Sequence, residues 1–149
     1  MLATLHTGDT TQSISRIIDV FPPEQHQQIR VQLSLTLIGV IAQQLVPRLD
    51  GKGRLLATEV LQANSAVRNL IRKNEVQQIY SVLQTSSGEG MTTMNGSLLK
   101  LFKTGKISME QALLFTARQK ELEQLLAREG RTPTFAGARV SELAGSAAK

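Results

Sequence analysis

Gln43-Gln44-Leu45-Val46-Pro47-Arg48, Leu49-Asp50-Gly51-Lys52-Gly53, Arg54-Leu55-Leu56-Ala57-Thr58-Glu59-Val60-Leu61: the reading of this stretch decides the fold class. The first segment is short and ends at Pro47. The second gathers Asp and two Gly residues, the chemistry of a turn. Arg54 to Leu61 is rich in β-compatible residues and pairs back on the first segment as a hairpin. Gly51-Lys52-Gly53 is not a phosphate loop, because such a loop needs two glycines with four residues between them, followed by Lys and Ser or Thr opening a helix, and that spacing is absent.

Outward from the hairpin the chain reads as helices. Upstream, Asp9 offers a cap with Gln12 three places on, and Ile14, Ile17 and Ile18 recur at helical spacing, so a helix is expected from about Thr10 to Val20. Pro22 and Pro23 break it, and Pro23 suits the first turn of a second helix. Ile29, Leu33, Leu37, Val40 and Ile41 then fall at steps of three and four, which predicts one apolar stripe about four turns long. Downstream, Ser65 to Lys73 and Glu75 to Gln84 are expected as helices punctuated at Asn74, with Val67, Leu70 and Ile71, then Val76, Ile79, Tyr80 and Leu83, facing inward. Thr85 to Thr92 reads as a loop. Met94, Leu98, Leu101 and Phe102 mark a helix ending near Gly105, Ser108 with Gln111 is a capping box, and Leu122, Leu125 and Leu126 mark a last helix. A strand stub is expected at Leu2 to Leu5, and residues 130–149, rich in Gly, Ala, Ser and Thr, are expected to form a mobile tail.

Composition narrows the function. The chain has 149 residues, no cysteine and a formal charge of +5 from 17 Lys+Arg against 12 Asp+Glu. Thiolate chemistry and disulfides are thereby excluded. No apolar run approaches the roughly 20 residues of a membrane span, and the start lacks a signal pattern, so a cytoplasmic location is expected. The basic balance invites a nucleic-acid partner. Against it, the arginines are dispersed, Lys100, Lys103 and Lys106 follow one helix face, and aromatic residues are 3% of the chain, leaving few stacking platforms.

Few residues offer chemistry. Of the two histidines, His26 sits in a polar run and reads as solvated, whereas His6 lies where a strand hands over to a helix, the position at which α/β sheets hold ligands. Asp19, Glu24, Asp50, Glu59, Glu75 and Glu89 read as helix-end, turn and loop residues, serving as caps or solvated groups. No nucleophile-elbow motif occurs. The residues taken one by one therefore stop short of any reaction.

Leu5-His6-Thr7, the run Arg16-Ile17-Ile18-Asp19-Val20-Phe21-Pro22, Val40 to Leu45, Ala66 to Arg72, Gly90 to Met94 and Gly105 to Ser108 together resemble the C-terminal part of the type IV pilus retraction ATPases, the PilT-type twitching-motility motors of the type II/IV secretion ATPase superfamily. The resemblance covers about residues 2 to 128. It implies an α/β fold, the C-terminal portion of a RecA-like P-loop ATPase domain. This chain would contribute mostly helix, with the strand stub and the hairpin. Residues 1–62 would close the ATPase core, 63–129 would form a helical region and 130–149 the tail. It implies a homo-hexamer at the cytoplasmic side of the inner membrane, working with the membrane platform proteins of the pilus machine, using ATP and Mg2+ in the complete protein and no nucleic acid.

His6, with Leu5 and Thr7, matches the family's histidine box near the terminal phosphate of the nucleotide. Ala66, Val67, Arg68, Asn69, Leu70, Ile71 and Arg72 match its AIRNLIRE motif, tied to retraction, with Val67 for the first isoleucine and Lys73 reversing the charge of the closing glutamate. On helical spacing alone Arg68 and Arg72 share an exposed face. With the resemblance, that helix is expected to couple subunits. In the family the Walker A loop, an acidic box and Walker B all precede the histidine box, so this chain is expected to bind no nucleotide and hydrolyse no ATP by itself, to begin inside a longer reading frame or a truncated gene, and to be poorly soluble or oligomeric alone. The competing expectations are a non-catalytic module that binds motor subunits and a small basic nucleic-acid binder.

Overall fold

The computed structural model describes residues 2–128. Within them lie α1 (Thr10–Asp19), α2 (His26–Thr36), β1 (Gly39–Pro47), β2 (Arg54–Gln62), α3 (Ser65–Arg72), α4 (Ile79–Thr85), α5 (Met94–Lys103), α6 (Met109–Leu114) and α7 (Gln119–Arg128). The protein is mostly helical around one antiparallel hairpin, as the sequence predicts. The tail expected at 130–149 lies outside the described residues.

Local chemistry sets most boundaries. The Asp9 carboxylate accepts the Gln12 N–H at 2.7 Å and starts α1. Pro23 opens a short 3-10 turn that leads into α2. Asn64 and Thr93 cap α3 and α5, and Ser108 with Gln111 forms the full capping box of α6. Asn74 takes φ 61 between α3 and the turn before α4, a conformation Asn tolerates better than other side chains.

The hairpin runs Gly39↔Gln62 to Pro47↔Arg54. Its turn uses positive φ at Gly51 and Gly53. One face turns Ala42, Val46, Ala57, Glu59 and Leu61 inward. The core has two parts. Ile14, Ile18, Leu61, Val67, Ile71, Ile79 and Leu83 join α1, β2, α3 and α4 across residue 62. Val46, Ala57, Leu98, Ile107, Ala112, Leu122 and Leu126 form the second, under α5, α6 and α7. Residues on either side of Met91 bridge the parts: Thr92 exchanges two backbone hydrogen bonds with Val60, at 2.8 and 3.0 Å.

Two expectations are corrected. The second helix does not reach Ile41. It stops at Thr36, Leu37 is extended, and Val40 and Ile41 lie in β1, opposite Leu61 and Val60. Pairing wins there because Gly39 permits an approach that any side chain would block, an added Cβ lying 2.7 Å from the Leu61 carbonyl oxygen. Nor is there a strand at Leu2 to Leu5. An extended segment becomes a strand only by bonding to a neighbour, and none of the described residues provides one.

Candidate functional site

Ahead of α1 the chain is held at Thr7 to Asp9, and residues 2–6 before them are exposed. The Thr7 and Ser13 hydroxyls share a 2.6 Å hydrogen bond, the Gly8 N–H donates to Gln12 Oε1 at 2.8 Å, and the Thr11 hydroxyl donates to Asp9 Oδ1 at 2.7 Å. Thr7 to Asp9 is thus fixed on the first turn of α1. His6 itself is exposed, with Leu5 beside it about half exposed.

Beneath this segment lies a residue that the sequence reading misplaced. Glu59 is in the middle of β2, 2% exposed, and not at a helix end, turn or loop. Its Oε1 accepts the Thr10 N–H at 2.9 Å and the Thr10 hydroxyl at 2.8 Å, and its Oε2 accepts the Met94 N–H at 3.2 Å. Thr10 and Met94 are the first residues of α1 and α5. One carboxylate therefore satisfies the leading N–H of two helices at once, at their positive dipole ends, and pins the His6 segment to the second core. Strand alternation was the available signal, since Ala57, Glu59 and Leu61 share the inward face.

The Ala66 to Arg72 motif divides into three parts. Val67 and Ile71 are buried and Leu70 packs against the first core. Arg68 does not share an exposed face with Arg72, as helical spacing led us to expect. It is half-buried, and its guanidinium donates to four backbone carbonyls: Ala63 at 2.7 Å from Nε, Ser34 at 2.5 Å and Leu35 at 2.9 Å from Nη1, and Leu37 at 2.9 Å from Nη2. The Ser34, Leu35 and Leu37 oxygens belong to the C-terminal end of α2 and the entry to β1, where a cation meets the negative pole of the helix, and the Ala63 oxygen belongs to the link between β2 and α3. Ala66, Asn69 and Arg72 remain exposed, as does Lys73.

His26 is likewise not simply solvated. It is half-buried, and its Nε2 lies 2.7 Å from the Phe21 carbonyl oxygen. A carbonyl only accepts, so Nε2 carries the proton. Elsewhere Tyr80 donates to Glu121 at 2.9 and 3.0 Å under the Arg118 guanidinium, which sits 3.6 Å from the ring centroid. Burial first, then the Glu121 carboxylate, pushes the Tyr80 phenol well above its ordinary range. Among the described residues no three His, Asp or Glu side chains form a metal-binding group, and no helix is long and apolar enough to cross a membrane.

No family model matches the chain. It is 46% identical over 112 residues to a twitching motility protein of Neisseria gonorrhoeae, covering 75% of this chain and 30% of that protein. To the type IV pilus retraction ATPase PilT of Pseudomonas aeruginosa it is 41% identical over 112 residues, covering 75% of this chain and 32% of that one. Among solved structures, the pilus retraction motor PilT with bound ADP superposes with a TM-score of 0.72 at 46% identity, over 81% of this chain and 33% of that chain. The Legionella pneumophila ATPase DotB gives 0.61 at 23% identity, over 74% and 30%. The class is therefore fixed: the fold is that of part of an ATPase domain common to these proteins. More narrowly, the chain is a PilT-type segment of the type II/IV secretion ATPase family. It spans about a third of the length of the curated relatives it matches.

Proposed function

We propose that this chain acts as one segment of a type IV pilus retraction motor, and that ATP hydrolysis by that motor requires the rest of such a protein. The observation that carries this is the superposition on the ADP-bound retraction motor, with identity and fold agreeing over the same residues. In this reading the whole protein is a homo-hexamer at the cytoplasmic face of the inner membrane, engages platform proteins there, and uses ATP and Mg2+. His6, exposed next to the fixed turn Thr7 to Asp9, is the residue offered to the nucleotide's terminal phosphate. Arg72 and Asn69 of α3 are the motif residues available to a neighbouring subunit.

The Gly51-Lys52-Gly53 turn is closed by its own acid: Asp50 accepts the Lys52 N–H at 3.0 Å and pairs with Arg48 at 2.8 Å. The hairpin also looks outward with an uncovered apolar face. Ile41, Leu45 and Leu56 are each at least half exposed, and Leu45 stands opposite Leu56 in register. A two-stranded sheet with one bare apolar face lacks a layer. The remainder of an ATPase domain would supply that layer. The same face supports a second reading, a module that docks on motor subunits without catalysis.

Grafting residues 2–128 in place of the matching third of Pseudomonas aeruginosa PilT tests the proposal. Twitching should return in a strain lacking its own PilT, and His6→Ala in the graft should abolish it while the protein still accumulates. A graft that accumulates normally and never supports twitching would defeat the proposal, as would a His6→Ala graft as active as its parent. Altered ATPase activity of an intact motor on adding the free chain would favour the docking module.

A further inference from the structure

The end of the hairpin is fastened to the end of α5: the Leu49 N–H donates to the Lys106 carbonyl oxygen at 2.9 Å. That bond joins two basic stretches, residues 48–54 with Arg48, Lys52 and Arg54, and residues 100–106 with Lys100, Lys103 and Lys106. Together they hold six of the 17 Lys+Arg and one of the 12 Asp+Glu, so the rest of the chain has 11 of each. The whole formal charge of +5 therefore arises at this one end of the hairpin. Its single acid is already taken: Asp50 accepts from Nε and Nη2 of Arg48 at 2.8 to 3.2 Å. The other five cations are all exposed. Lys100 and Lys103 sit in the last turn of α5, but the negative pole of a helix amounts to about half a charge, well short of five. Glu110, next along the chain, lies in the first turn of α6, where it answers that helix's positive pole.

Stretches joined by a backbone hydrogen bond act as one source of field over a Debye length of about 10 Å. Such a source attracts an extended negative surface more than a single ion. Four of the five exposed cations are lysines, point charges that ask for no planar partner. Leu49 stands among them and is 60% exposed. A leucine there has nothing to gain from a phosphate backbone, but it gains by entering lipid beside the charges that hold it there. Aromatic residues are 3% of the chain, too few to stack bases instead.

We propose that this end of the hairpin docks on an anionic phospholipid surface, Leu49 entering the interface and the lysines lying over the headgroups. The surface uses none of the residues assigned to the His6 segment and does not depend on the motor reading. Flotation of the full chain with vesicles tests it. The chain should float with phosphatidylcholine vesicles containing about a third phosphatidylglycerol, not with phosphatidylcholine alone, and should be released as sodium chloride rises. Lys52→Gln, Arg54→Gln and Lys106→Gln combined should weaken partition about a hundredfold. Arg16→Gln, Lys120→Gln and Arg128→Gln combined remove the same charge from exposed positions elsewhere and should weaken it no more than about threefold. Leu49→Trp gives the chain its one tryptophan, whose emission should shift to the blue on the anionic vesicles. Circular dichroism checks the fold of each variant, and the wild-type vesicle and salt series decides alone for any that does not fold. Equal flotation with neutral vesicles, no flotation with either, equal losses from the two triple variants or an unshifted Leu49→Trp emission would overturn the proposal. Displacement from the anionic vesicles by an equal charge of duplex DNA or polyglutamate would overturn it too, by assigning the cluster to another polyanion.

Discussion

Glu59→Ala is expected to cost about 4 kcal/mol or more, a large share of the roughly 5–15 kcal/mol that holds a typical domain folded. Three donors depend on that carboxylate, the Thr10 N–H and hydroxyl and the Met94 N–H. Thr10 is fully buried, so water cannot replace what is lost. Each orphaned donor costs about 1–3 kcal/mol, and the vacated volume adds to the loss. Glu59→Gln fills the same space and keeps one acceptor, but its amide N–H2 faces a backbone donor, so about half of the loss should remain. Urea unfolding followed by far-ultraviolet circular dichroism measures both. Hydrogen exchange adds the distinguishing detail: the first turns of α1 and α5 should open together, although they are far apart in sequence. A Glu59→Ala midpoint equal to that of the wild type, or exchange quickened at only one of the two turns, would show that Glu59 does not join them.

Arg68→Ala should be the second largest loss, about 2–3 kcal/mol, because the charged donor serves three carbonyls at the end of α2 and the entry to β1 and a fourth, of Ala63, between β2 and α3. Some of those oxygens can turn to water, which keeps the figure below that for Glu59. Arg68→Lys is the informative variant. Lysine retains the charge but cannot spread a planar fork over carbonyls on two elements, so at least half of the loss should persist. Arg72→Ala, by contrast, should stay within about 0.5 kcal/mol of the wild type, since the side chain is exposed. An Arg68→Lys midpoint equal to that of the wild type would reduce Arg68 to a simple point charge. The practical consequence concerns the motif at Ala66 to Arg72. Loss of retraction in an Arg68 variant would report folding, whereas the same loss in an Arg72 variant would report a contact.

What was legible in the sequence was local. Asp9 with Gln12, Ser108 with Gln111, the Pro22-Pro23 break, Asn74 and the Gly51 to Gly53 turn each act through neighbours a few residues away, and each element boundary they imply is present. What was missed acts over distance. Val40 and Ile41 continue an apolar spacing compatible with helix, and only pairing with Val60 and Leu61, twenty residues on, makes them strand. Glu59 looked like a cap or a solvated acid. It is indeed a cap, but for helices that begin 49 residues before it and 35 after it. Arg68 finds its carbonyls 31 to 34 residues upstream, and no helical wheel shows that. His6 does stand just ahead of a helix entry, and it is exposed there. The strand expected ahead of it is absent, because its hydrogen bonds need neighbours that the described residues do not include.

The chain is proposed to work as a motor segment only together with the rest of such a protein. ATP hydrolysis by the purified chain, measured beside the purified PilT graft carrying residues 2–128, tests it most directly. Hydrolysis is expected from the graft with Mg2+ and none above background from the chain alone. Magnesium-dependent turnover by the chain alone that His6→Ala abolishes would overturn that proposal.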